Sequence, residues 1–132
     1  METLRWKTRI AVLWLFMAVA ISAHSVMAFM EPGMIKGIIS GEVEGMALTS
    51  GMLIFMSLFW LVPLWLAFVS LTVKDSCNRW TNFILGIIFT LLNLWHFIGH
   101  LGSPVQILIT GSAVAATVLI AWYAWKWPTQ EA

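Results

Sequence analysis

At 132 residues the chain is one domain's worth, yet hydrophobic residues make up 61% of it and charged residues only 10%, against roughly a quarter charged in a soluble domain. So few charges cannot build a water-facing shell. The near balance of seven Lys/Arg against six Asp/Glu, a formal charge of +1, excludes a nucleic-acid binder that must neutralise many phosphates. The solvent for this fold is a lipid bilayer.

The charge-free stretches mark the spans, since a transmembrane helix needs about 20 mostly apolar residues. Ile10 to Met30, Gly45 to Val73 and Trp80 to Trp125 contain no charge. The last is long enough for two spans, divided by the turn signal Gly102-Ser103-Pro104. Four helices follow, at about 10–30, 47–73, 80–101 and 105–126. Each must be helical because lipid offers no partner to an open backbone. The fold class is therefore all-α: a polytopic membrane protein, one four-transmembrane-helix bundle over residues 1–132, with a short interfacial helix in its first outer loop.

Helix 1 opens on Arg5, Lys7 and Arg9 and carries Val26-Met27-Ala28, the parts of a secretory signal. Its apolar run continues to Met30, long enough to span, which favours an uncleaved anchor over a cleaved signal. In the following loop, Pro32 suits a first helical turn, and Met34, Ile35, Ile38 and Ile39 share one helical face. That is the pattern of a helix lying in the interface. Gly33, Gly37, Gly41 and Gly45 recur every four residues, either a close-packing groove or, for Gly41 and Gly45, the end of the helix. Pro63 near the middle of helix 2 predicts a kink. In helix 4, Gly111 with Ala115 and Ser112 with Ala116 set small residues four apart, which predicts its contact face.

Six of the seven basic residues (Arg5, Lys7, Arg9, Lys74, Arg79 and Lys126) fall on one side of the spans, and Lys36 alone on the other. The positive-inside rule then puts both termini in the cytoplasm. Trp6, Trp80, Trp125 and Trp127 mark the same boundary, at headgroup level.

The run Glu31-Pro32-Gly33 to Lys36, then Gly45, Thr49, Gly51 and Pro63, then Asn78-Arg79-Trp80 and the tail Trp122-Tyr123-Ala124-Trp125-Lys126-Trp127-Pro128, resembles a family of small bacterial four-helix membrane proteins catalogued only as a domain of unknown function. The family is distantly similar to the DoxX-like proteins. The resemblance spans nearly the whole chain and implies a multi-pass protein of the bacterial cell (inner) membrane, without an established activity. Relatives often carry a carboxylate just before the helix 2 proline and another in the last helix. Leu61 or Val62, and Ala113, stand at those places here, so no proton-relay or cation role is inherited.

The polar residues of the spans carry what chemistry there is. Gly86, Thr90, Asn93, Phe97 and His100 follow one another at steps of three or four along helix 3, flanked by His96. Amides and imidazoles are costly against acyl chains, so this stripe should face other helices. His96 and His100, four apart, can place two ring nitrogens on one metal. His24 lies about two turns inside the outer end of its helix and His96 about one turn inside its own, which sets all three histidines in the outer half of the bilayer. A site built from His24, Asn93, His96 and His100, with Glu31 nearby, is one reading. It suits zinc or copper on His24, His96 and His100, a haem between two histidines, or a small polar or lipid-like ligand. Met27, Met30, Met34 and Met46 at the same end keep copper among the candidates. The other reading is that these groups only hydrogen-bond across helices, His96 pairing with His24 or Asn93.

No phosphate loop or nucleophile elbow is present, and no charged residue lies within a charge-free stretch to drive coupled transport. Cys77, the single cysteine, is a loop thiol beside Lys74 and Arg79, reactive, lipidated or spare. Two functions remain. One is a non-enzymatic membrane module that binds a hydrophobic or polar ligand or assists a membrane-protein partner, alone or as a homo-oligomer. The other is a metal- or haem-binding redox protein.

Overall fold

A computed structural model describes residues 2–127, with side chains from Leu4 onward. Pro128, the last residue of the aromatic tail, lies outside the described residues. In chain order the elements are α1 (Glu2–Phe29), α2 (Met34–Ile39), β1 (Glu42–Val43), β2 (Met46–Ala47), α3 (Ser50–Thr72), α4 (Asp75–Gly99) and α5 (Pro104–Lys126). Four of them, α1, α3, α4 and α5, are long and apolar enough to cross a membrane. Large apolar side chains such as Val19, Phe68, Leu91 and Leu108 are exposed along these helices, the surface that lipid would cover.

Helices α1 and α4 start at Glu2 and Asp75, well before the charge-free stretches at Ile10 and Trp80. Charge keeps a residue out of hydrocarbon but does not stop it from being helical. The extra turns bring charged groups together at the end of the bundle that holds the termini. Lys7 Nζ meets Asp75 Oδ1 at 3.0 Å, and Arg79 donates to the carbonyls of Ala124 and Trp125, each at 3.1 Å. Those carbonyls close α5, where the helix dipole favours a cation.

Around the bundle the helices run in the order α3, α1, α5, α4. Although α3 and α4 are joined by only Val73 and Lys74, they approach least closely of the neighbouring spans. Large side chains bridge them, with Phe59 5.6 Å from Phe89 between ring centroids. Ile10, Trp14 and Met17 of α1 and Ile120 of α5 are fully buried at the centre. Pro63 is buried in α3.

Towards the termini end the interior is polar. Asn82 Oδ1 accepts from Trp14 Nε1 at 2.7 Å and from Ser70 Oγ at 3.1 Å. Its amide nitrogen donates to Asn78 Oδ1, and Asn78 donates in turn to the Ser70 carbonyl at 2.8 Å. Three helices are thereby joined by satisfied bonds, which is what makes buried amides tolerable in an apolar interior.

The contact face of α5 differs from the expected one. Gln106, Thr110, Ala113, Ala116, Thr117, Ile120 and Ala124 are buried, whereas Ala115 is exposed and Gly111 and Ser112 are half-buried. Small residues surround this segment on every side, so their spacing carries the period of the packing but not its phase. The closest approach uses a glycine of α4 instead. A Cβ on Gly86 would lie 3.0 Å from Ala121 N and 3.2 Å from Ala121 Cα of α5. Trp127 is also unlike a headgroup anchor: it is 4% exposed and belongs to the core.

The short helix expected in the first loop is α2, with Ile35 and Ile39 exposed and no residue buried. A continuous glycine groove is absent, because Gly33, Gly41 and Gly45 all take positive φ and break the helix. A hairpin follows instead. Val43 pairs with Met46 around Glu44-Gly45, whose φ values of 52° and 79° give both central residues the left-handed geometry of a type I′ turn. Asn-Gly would have announced that turn; Glu-Gly does not.

Candidate metal centre

The three histidines converge at the hairpin end of the bundle. His24, from the last turns of α1, and His96, one turn before the end of α4, pack edge to face with ring centroids 4.4 Å apart. His100, the residue that closes α4, lies 4.9 Å from the His24 ring and 4.6 Å from the His96 ring. Glu44 completes the group: its Oε2 is 3.2 Å from His100 Nε2. One nitrogen or oxygen from each of His24, Glu44, His96 and His100 lies within 4.8 Å of all the others.

Two of the rings are held from behind. Gln106, fully buried at the start of α5, donates from Nε2 to the His24 carbonyl. This orients the amide so that Oε1 accepts from His24 Nδ1. His100 Nδ1 donates to the His96 carbonyl at 2.8 Å. A proton fixed on Nδ1 leaves the lone pair on Nε2, the usual preparation of a metal-binding imidazole. For His100 that lone pair then faces the Glu44 carboxylate, and two acceptors at this distance need a proton or a metal ion between them. His96 differs from the expectation that it hydrogen-bonds across the bundle. Its Nδ1 is buried with no partner, the ring meeting His24 only edge-on.

The other residues expected at the site have separate engagements. Asn93 is fully buried and donates to the Phe89 carbonyl at 2.9 Å, its Oδ1 left without a partner. The Glu31 carboxylate accepts from Ser103 Oγ at 2.8 Å. Ser103 is the N-cap of α5, so Glu31 lies beside a helix N-terminus that favours its charge, and it is not one of the four clustered donors. Sequence reasoning missed Glu44 and Gln106. Glu44 had no helical register to place it, and Gln106 resembled any polar residue near the start of a span.

Residues 2–132 match a family of unknown function, DUF6326. The chain belongs to this family. No curated protein and no solved structure matches it, so the chemistry of this DUF6326 member rests on its own residues. Three imidazoles and a carboxylate form a nitrogen-rich donor set of intermediate softness, suited to zinc and its first-row neighbours. Gln106 gives the set part of the outer support such sites require.

Proposed function

We propose that this protein is a multi-pass membrane module, with both termini cytoplasmic and the hairpin end outward, that binds one divalent first-row transition ion through His24, His96, His100 and Glu44. The observation that carries this reading is the gathering of four donors from α1, α4 and the hairpin within 4.8 Å. Borderline ions of the zinc class fit best, because none of the four donors is a sulfur and thiolate or thioether ligands are what select Cu(I). A haem between two of the histidines fits poorly. Axial bonds of about 2 Å on either side of an iron would hold two ring centroids about 6 Å apart, whereas these stand 4.4 to 4.9 Å apart.

A hydrophobic ligand has less support. An open groove lined by Ala18, Val19, Ser22, Ser57, Trp60, Leu61 and Leu64 lies between α1 and α3. Its polar groups are engaged within the protein, Trp60 Nε1 donating to Ser22 Oγ at 2.9 Å and Ser57 Oγ to the Leu53 carbonyl at 2.9 Å. Such a surface accepts an acyl chain as readily as any ligand.

The test is elemental analysis and an absorption spectrum of purified protein, before and after incubation with zinc or cobalt. Near one ion per chain is expected for the wild type and little for His24→Ala or His96→Ala. Wild-type protein that retains neither ion after incubation, or that carries a Soret band, would overturn the reading.

A further inference from the structure

We propose that Glu44 is the gate of this site: the ion enters from and returns to the aqueous phase on the hairpin side, by exchange of the Glu44 carboxylate for water, while the three histidines stay in place. The inference rests on the metal-binding reading and adds how the site is loaded.

The two halves of the donor set differ in how they are held. The histidines stand on spanning helices or at their end, their rings packed on one another, with Gln106 and the His96 carbonyl fixing two of them. Glu44 stands at the tip of a hairpin whose strands are two residues each. A two-stranded ribbon of that length has little stability of its own. A further rung from Leu48 N to the Gly41 carbonyl at 2.8 Å closes the hairpin at its base, and at the tip the tie to the helices is the contact of Glu44 with His100.

Exposure points the same way. The Glu44 side chain is 33% exposed and that of His100 only 12%, and among the four donors Glu44 is the exposed one, His24 being buried and the other two histidines half-buried. Glu31, Glu42 and Glu44 share the first loop with Lys36 alone among the basic residues, a field that draws cations.

The backbone supplies the third observation. Glu44 has φ 52° and is the one non-glycine with positive φ among the described residues. Asparagine or glycine would hold this turn with less strain, but glycine has no side chain and that of asparagine is shorter and uncharged. Strain at a residue that touches a candidate ligand group is a mark of function. The exchange itself transfers no electron. A metal–carboxylate bond breaks, a metal–water bond forms, and the freed carboxylate turns to solvent.

The experiment uses the full chain reconstituted in vesicles of known orientation and loaded with Co(II), whose visible bands report its coordination. A membrane-impermeant chelator is added to one side, and the loss of the bands is timed for the wild type, Glu44→Gln and Glu44→Asn. Chelator on the hairpin side should strip the ion about ten-fold or more faster from both variants than from the wild type. Chelator on the termini side should do nothing. Glu44→Asn without metal should be at least as heat-stable as the wild type, because it relieves the turn. Equal stripping rates in all three proteins, or stripping from the termini side, would overturn the gate while leaving the site intact. If the wild type takes up no Co(II), the site fails and the gate with it.

Discussion

His100 Nε2 lies 3.2 Å from Glu44 Oε2, a contact that joins the residue closing α4 to the tip of a hairpin between α2 and α3. At another member of the cluster, Gln106 holds His24 through two bonds. The candidate site therefore draws on four separate pieces of chain, and its parts can be tested one at a time.

Gln106 is a positioning residue, and its removal should show in affinity. Gln106→Leu deprives His24 Nδ1 of its acceptor, and the affinity for Co(II) should fall about 10- to 100-fold. Gln106→Glu keeps an acceptor oxygen and should retain most of the affinity. Competition against a chromophoric chelator measures both. Equal affinity in Gln106→Leu and the wild type would show that the amide does not prepare the ring.

Asn82 should matter to stability alone. Asn82→Leu leaves Trp14 Nε1 without its acceptor and removes the partner of Asn78. The cost should be about 1–3 kcal/mol, read by unfolding in mixed micelles, with Co(II) binding unchanged. Ser57→Ala, which loses only a bond to its own helix at an exposed position, should stay within about 0.5 kcal/mol of wild type.

Close packing of α4 on α5 depends on Gly86. Gly86→Ala places a methyl group against the Ala121 backbone at 3.0 to 3.2 Å, and should destabilise by about 1–3 kcal/mol. Gly99→Ala meets nothing within 4 Å and Ala115→Leu points outward from an exposed position. Both should be close to neutral. A drop in thermal stability for Ala115→Leu as large as that of Gly86→Ala would mean that the exposed face of α5 is covered, as in a homo-oligomer.

The orientation proposed from the basic residues can be read by labelling. In intact cells a membrane-impermeant thiol reagent should modify Ser40→Cys, which lies between α2 and β1, and spare the exposed Cys77. Labelling of Cys77 with protection of position 40 would invert the topology and place the histidine cluster at the cytoplasmic face.

The number of spans, the interfacial helix and the turn at Ser103-Pro104 were all legible in the amino-acid sequence. Each depends on local composition: apolar length, a helical period, or a capping hydroxyl before a proline. Convergence of the histidines was partly legible, because depth along a helix can be counted from its ends. Rotation about the helix axis cannot be counted in that way. It is decided by which faces pack, and in α5 the small residues around Gly111 and Ala115 left several phases equally plausible until Gly86 of α4 met Ala121. The fourth donor was hidden for a different reason. Glu44 reaches His100 only because a left-handed turn lifts it there, and a turn with no asparagine or proline to mark it carries no periodic signal. Local sequence thus determined which segments are helices and how deep their polar residues lie. The tertiary structure alone decided which side chains meet, because contact across helices depends on rotational phase and loop trajectory.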